Sequence, residues 1–496
     1  MRPLLLALPL ALLAPRPAAA VSMPAVFGDH MVLQRERPVA LWGSAAPGET
    51  LTIRFGDHEA SVTTDPHGRW RGRLPAMPAS DEARALVVSG SDELRFEDVL
   101  VGEVWLCSGQ SNMEKPLGEK RGQRPTDNHL TEIAAARHPR LRLFQVPHHG
   151  RVTRPEAQMR WLPCSPDSVT ATEFSAAGYF FGRELLHNLE VPVGLIHASF
   201  GGTMVEAWTP RAAIEAEPRL AGVLESEYFA WVKGVQATEL WQSMVEPLVP
   251  YTLRGFLWYQ GEANAMTGES SGYATKLATL ASGWRGAWNA PEAPFYYVQL
   301  APFEYSAWDS FPAWLTPQGL PLFWEAQAAA RGEIPHSGMV VTTDLAGDGS
   351  DIHPTRKREV GLRLAHLALR DAYGDGRRLA RSPEMAHVEF PGDGRALVRF
   401  ASVGDGLRRS DGNPLSHFEL AGKSRVFHPA GARIVDDQRV ELASSLVGQP
   451  VAVRFAWHET ATPNLVNSAG LPAVPFRSDR WPVAGTREKP PATPDD

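Results

Sequence analysis

Cysteine is almost missing from this 496-residue chain: Cys107 and Cys164 are the only two. Their separation excludes a CxxC zinc site, and no HExxH run occurs, so the sixteen histidines form no recognisable ligand set. A long basic run is missing as well. Acidic residues outnumber basic ones by 56 to 49, and the net charge of -7 argues against a nucleic-acid partner. No apolar run reaches the roughly twenty residues that a bilayer-spanning helix needs. Charged residues are too few, at 21%, and hydrophobic residues too many, at 43%, for a disordered polymer. No metal, no cofactor and no membrane span are expected, and the oligomeric state is not readable.

What the chain does hold is turn formers, 43 glycines and 42 prolines, over a length that suits about three domains. Residues 1–20 read as a signal peptide. Arg2 gives a short positive start, Leu4 to Ala14 an apolar run, and Ala18-Ala19-Ala20 a small-residue cleavage site. Export to a periplasm or to the secreted space is the expectation. In such a compartment Cys107 and Cys164 have two arrangements open, a disulfide or a pair of buried thiols.

Residues 21–98 carry short β-type runs, among them Val39 to Gly43, Leu51 to Phe55 and Ala85 to Val88, separated by Pro47-Gly48 and His67-Gly68. This pattern predicts an N-terminal β-sandwich. Over residues 99–380 strand runs alternate with helical spacing, as in Val193 to Ala198 against Phe180 to Leu186. Alternation of this kind predicts an α/β unit, a parallel sheet flanked by helices, with its site at the carboxyl ends of strands. Residues 381–482 return to short strands such as Ala396 to Phe400 and predict a C-terminal β-rich unit. Residues 483–496 read as a flexible tail.

Four strand ends in the middle unit carry polar clusters. After Leu106 comes Gly109-Gln110-Ser111-Asn112-Met113, a small-residue turn able to project the Ser111 hydroxyl and to aim backbone N–H groups at one point. The bland reading is a helix cap by Ser111. After Ala198 come Gly201-Gly202-Thr203 and Glu206-Ala207-Trp208, where glycine permits close backbone approach. Trp258-Tyr259 leads into Gln260-Gly261-Glu262-Ala263-Asn264, and the uncharged amide of Gln260 suits donation to an oxyanion. The last cluster runs from Asp344 to Pro354. His353 is the candidate base for a serine nucleophile, and Asp351 the candidate partner of its other ring nitrogen. A calcium loop is excluded there, because the aspartates miss EF-hand spacing. Glu206, Trp208, Glu262 and Asn264 are the candidates for contact with substrate. Aromatic faces stack on sugars, although tryptophans also fill cores.

Taken together, the four clusters resemble the blocks of SGNH-type hydrolases. Val104 to Met113, Gly201-Gly202-Thr203, Tyr259 to Glu262 and Asp351-Ile352-His353-Pro354 resemble, more narrowly, the sialate O-acetylesterase family. Met31 to Arg35, Phe174-Ser175-Ala176, Arg363-Leu364-Ala365, Asn464-Leu465 and Gly470 to Arg477 extend the likeness over nearly the whole chain. The resemblance implies an SGNH-like sheet with accessory β-sandwich domains before and after it. It also implies a serine esterase that removes acetyl groups from sugars without metal or cofactor. It assigns Ser111 as nucleophile, His353 as base, Asp351 as its partner, and Gly202, Gln260 and the Ser111 N–H as oxyanion donors. One departure concerns Asp351, which lies two residues before His353 where the superfamily has three. A Ser–His–Asp triad and a Ser–His dyad are therefore both open. The sugar is open too, between O-acetyl sialate and acetylated plant polysaccharide such as xyloglucan or xylan. The reading from a different class is a secreted carbohydrate-binding protein with a degenerate site.

Overall fold

A computed structural model describes residues 20–225, 234–307, 315–347 and 349–483. The expected signal peptide lies outside these residues, apart from Ala20, as do Asp348 and nearly all of the expected tail. The central sheet has seven strands: β1 (Glu93–Gly109), β2 (His138–Gln145), β3 (Trp161–Cys164), β4 (Val193–Ser199), β5 (Gly255–Tyr259), β6 (Phe295–Val298) and β7 (Ser337–Val340). Their order is β7-β6-β5-β1-β4-β2-β3. Every pair is parallel except β2 with the edge strand β3. Chain order reverses direction around β1, which puts the carboxyl end of β1 at the crevice where such sheets hold their ligands.

Strand alternation explains why both faces of this sheet are covered. Along β1, Val104 and Leu106 point into one core while Trp105 and Cys107 point into the other. Along β5, Phe256 and Trp258 divide in the same way from Leu257 and Tyr259. The helices follow from that division. Helix α1 is a single turn, Ser111–Glu114. Helix α2 (Ala176–Leu189) closes one face, together with a later helix over Lys357–Asp371. Helices α3 (Glu262–Met266), α4 (Tyr273–Trp288) and α5 (Gly319–Glu333) lie toward the other, where Trp284, Phe323 and Trp324 are buried. The Lys357–Asp371 helix is α6. Each fully buried side chain of this size stabilises the fold by about 1.5–3 kcal/mol. No described helix is long and apolar enough to cross a membrane.

The accessory β structure is present on both sides, with one difference from the expected layout. Strand β1 begins at Glu93, not at Val99, and runs unbroken from the N-terminal β structure into the central sheet. Its early part pairs antiparallel with Ser80–Ser89, and its later part pairs parallel with β4 and β5. Exposure alternates up to Asp98, and every residue from Val99 onward is buried. One strand thus serves a half-exposed sheet and then a doubly covered one. The C-terminal part forms two antiparallel four-stranded sheets and a short two-stranded one, Arg408–Arg409 with Leu465–Val466. It is fastened to the rest by Arg477, which donates to Glu325 at 3.0 and 2.9 Å, and by buried Glu459, which accepts the Ser306 N–H at 3.0 Å. Cys107 and Cys164 are both free and buried, which resolves the two arrangements in favour of thiols. Burial pushes the Cys164 thiol up to about 12, which disfavours its thiolate.

Candidate active site at the end of the central strand

The chain leaves β1 through Gly109 with φ +140°, a conformation that glycine holds without strain. A Cβ at Gly109 would sit 2.1 Å from the Tyr259 carbonyl oxygen at the end of β5. The Gln110 N–H donates to that same oxygen at 3.0 Å. This turn locks two strand ends together and makes Ser111 the first residue of α1. Helix starts leave N–H groups unused. Among the described residues nothing accepts the backbone N–H of Ser111 or of Gly202.

Gly201 lies directly against the serine: a Cβ at Gly201 would come within 3.0 Å of Ser111 Cβ. The Gly201 N–H donates to Glu114 Oε2 at 2.7 Å, which fixes the glycine turn over α1. Glu114 also holds Lys120 at 2.8 Å and His148 at 3.0 Å. Burial opposes ionisation of this carboxyl, but the His148 ring and the Lys120 ammonium outweigh it and pull the group down to about 2. A pocket of about 280 Å³ opens beside Glu114 and is lined also by Lys120, His148, Arg151 and Arg154.

Gln260 is at the expected place and in an unexpected state. It is fully buried, and its Nε2 faces Gln110 Oε1 at 3.2 Å, the Thr203 carbonyl at 3.0 Å and Asn264 Oδ1 at 2.8 Å. The amide orientations are set by the backbone, since Gln110 Oε1 also accepts the Gly261 and Ala263 N–H groups and Asn264 Oδ1 accepts that of Val205. Two N–H bonds therefore meet three fixed acceptors. An oxyanion that used Gln260 would have to displace one of them. The geometry makes Gln260 a strut between the first three clusters, which differs from the direct donor expected.

The four residues expected to touch substrate are likewise interior. Glu206 is 2% exposed, Glu262 2%, and Asn264 and Trp208 0%. Glu206 pairs with buried Lys276 and accepts from Asn264 Nδ2 at 3.0 Å. The Trp208 indole donates to Thr203 Oγ1 at 3.0 Å and meets Trp258 edge-on. A polar residue next to a catalytic turn can point either to solvent or into the framework, and here the framework takes all four.

Asn112 and Lys357 emerge as site residues that sequence spacing gave no reason to select. Asn112 is buried and donates to the Ile352 carbonyl at 2.9 Å and to Glu262 Oε1. Its Oδ1 accepts from Lys357 Nζ at 2.6 Å. Lys357 is fully buried at the start of α6, with its ammonium 5.0 Å from the centre of the Tyr259 ring. Burial and the nearby Lys115 push this ammonium down to about 7, and burial raises the Glu262 carboxyl. The signal available in the sequence was position alone, since Asn112 directly follows the serine.

His353 closes the site. Burial and Lys357 push its imidazole down to about 4, against a counter-pull from Asp351. It is consequently neutral near pH 7, as a general base must be. The orienting bond expected from Asp351 is not formed. The ring Nδ1 lies 3.9 Å from Asp351 Oδ1, beyond hydrogen-bond reach, while that oxygen accepts the His353 backbone N–H at 2.8 Å. A spacing of two residues favours this local turn over a bond to the ring. No hydrogen bond joins the Ser111 hydroxyl to the His353 ring among the described residues.

Residues 101–370 match the family described as carbohydrate esterase, sialic acid-specific acetylesterase. This chain belongs to that family. It is a carboxylic ester hydrolase of the carbohydrate acetylesterase class, which sets aside the binding-protein alternative. The human sialate O-acetylesterase is 28% identical over 515 residues, covering 95% of each chain. The rat sialate O-acetylesterase is 28% identical over 86% of this chain and 88% of its own. A solved carbohydrate acetylesterase from Xanthomonas citri is 34% identical, covers 93% of this chain and 100% of its own, and superposes with a TM-score of 0.80. The carbohydrate acetylesterase fold thus extends over the accessory β structure as well as the central sheet.

Proposed function

We propose that this acetylesterase works through an acetyl-enzyme on Ser111. His353 takes the hydroxyl proton as Ser111 Oγ attacks the acetyl carbonyl carbon. The carbonyl oxygen becomes an oxyanion held by the N–H groups of Ser111 and Gly202. The C–O bond to the sugar breaks, and the proton on His353 passes to the departing sugar oxygen. Water then attacks the acetyl carbon with His353 again as base. Acetate leaves, and the proton returns to Ser111. The observation that carries this reading is the unused pair of backbone N–H groups beside Ser111, at a helix start where developing negative charge is stabilised. Asp351 has no bond to the imidazole ring in this scheme, which makes the working pair a Ser–His dyad. Gln260 holds the oxyanion loops in place.

The substrate we propose is an O-acetylated sugar bearing a carboxylate, of the sialate type. Arg151, which lines the 280 Å³ pocket and has no carboxylate partner among the described residues, supports this, and so do the sialate esterases among the relatives. Acetylated plant polysaccharide is the competing substrate, favoured by the broader description of the Xanthomonas citri enzyme. Residues 1–20 are proposed to direct export to the periplasm or beyond. The deciding assay compares wild type with Ser111→Ala, at matched circular dichroism. It reads p-nitrophenyl acetate hydrolysis and acetate release from O-acetyl sialic acid and from acetylated xyloglucan. Loss of all activity in the variant, with sialate the better substrate of wild type, is the expected result. Equal activity in the two proteins overturns the nucleophile, and a preference for xyloglucan overturns the acidic sugar.

A further inference from the structure

A second and much larger cleft, about 1240 Å³, lies where the C-terminal sheet of Phe418–Ala421, Phe427–Pro429, Ala452–Phe455 and Phe476–Arg477 meets residues 316–318. Small-molecule sites run to about 300–1,000 Å³, so the space suits an extended ligand. Its wall is a ladder of rings and guanidinium groups. The Arg454 guanidinium lies 4.0 Å from the Phe427 ring and 5.4 Å from Trp457. Trp481 lies 5.7 Å from Phe427, and Arg425 stands 5.3 Å from Trp481. Arg454 is buried and held by Asp479 at 2.9 and 3.0 Å, which fixes that rung of the ladder.

Two features of this wall point toward a ligand. Arg425 is exposed and has no carboxylate partner among them. The Glu419 carboxyl also lines the cleft, and burial raises it. Aromatic rings beside unused hydrogen-bonding groups are what a pyranose ring requires, with its apolar C–H face and its hydroxyl edge. The cleft also approaches the chemistry. His458 lines it, and two residues on the Thr460 side chain lies 3.7 Å from the Cβ position of Gly349, in the loop that carries His353.

We propose that this cleft is a non-catalytic carbohydrate-binding site that holds the oligosaccharide chain flanking the acetylated sugar. The proposal rests on the reading of the Ser111 site as a sugar acetylesterase and extends it to a substrate carried on a glycan. The test uses the full-length chain in two arms. In the first, Ser111→Ala protein is run through native gels containing mucin, glucuronoxylan or xyloglucan, alone and combined with Trp481→Ala or with the isosteric Glu419→Gln. In the second, the same two cleft substitutions in the active enzyme are compared on p-nitrophenyl acetate and on the acetylated polymer that retards best.

Retardation in at least one gel, lost in a cleft variant, is expected. With it comes a KM for the polymer raised roughly tenfold at unchanged p-nitrophenyl acetate turnover. No retardation in any of the three gels overturns the proposal, and so does retardation that both cleft variants retain. An enzyme inactive on p-nitrophenyl acetate and on every acetylated sugar would instead fail the Ser111 reading, and the gels would still report on the cleft by themselves.

Discussion

The Asn112 side-chain amide donates to the Ile352 carbonyl oxygen at 2.9 Å, joining the residue after the candidate nucleophile to the residue before the candidate base. These two loops come from opposite ends of the catalytic region, and this bond sets their separation. Lys357 and Glu262 hold the same amide from its other sides.

Asn112→Ala is therefore expected to lower kcat on p-nitrophenyl acetate by about 10², since small misplacements of reacting groups cost on that order. KM should change little, because Asn112 is buried and bonded to the framework on every side. Steady-state kinetics decide it. A kcat within twofold of wild type would show that the two loops hold their positions without the bond.

For Gln260→Ala, stability and turnover should fall together. The change strips the donor from the buried Thr203 carbonyl, while Gln110 and Asn264 keep their backbone donors, and an unsatisfied buried group costs about 1–3 kcal/mol. Calorimetry alongside kinetics separates this strut role from direct oxyanion donation. An unchanged Tm with crippled kcat would restore the direct role.

Fold and site were unequally legible in the sequence. Alternation of strand and helical spacing located the parallel sheet, because a doubly covered sheet imposes mostly apolar runs such as Val193 to Ala198. The four polar clusters located the strand ends. What spacing does not carry is the direction of a polar side chain next to a turn. Glu206, Glu262 and Asn264 turn inward because buried Lys276, Asn112 and Glu206 await them, and those partners come from distant segments. Lys357 was invisible for the same reason, as a lysine on a helical pattern ordinarily faces water. The ladder of the C-terminal cleft gathers residues from 425 to 481 onto one wall, which no local pattern reveals.

The acidic limb of the pH profile should lie unusually low. The proposed base, His353, can take a proton only when neutral, and burial with Lys357 pushes it down to about 4. Lowering the pKa extends the neutral form to lower pH. Hence kcat/KM on p-nitrophenyl acetate should hold from neutrality to about pH 5 and halve near pH 4. Lys357→Met removes a nearby cation, which favours the imidazolium and should move the limb upward. A wild-type limb at the ordinary imidazole value, about 6.5, would contradict the buried environment.

Asp351→Ala is expected to cost far less than His353→Ala. With the ring nitrogen 3.9 Å from the carboxylate, Asp351 shapes the loop through the His353 backbone N–H and only tunes the ring at a distance. Single-turnover rates for the two variants check this. Equal losses would mean that the bond forms once substrate is bound, completing a triad.

The account stands most directly on one covalent bond. Mixing the enzyme with p-nitrophenyl acetate, quenching in acid within the first turnovers and mapping peptides by mass spectrometry should show one added acetyl group. That group should sit on the peptide containing Ser111 and be absent in Ser111→Ala. An acetyl group found reproducibly on another residue, with turnover intact in Ser111→Ala, would contradict the assignment of the nucleophile.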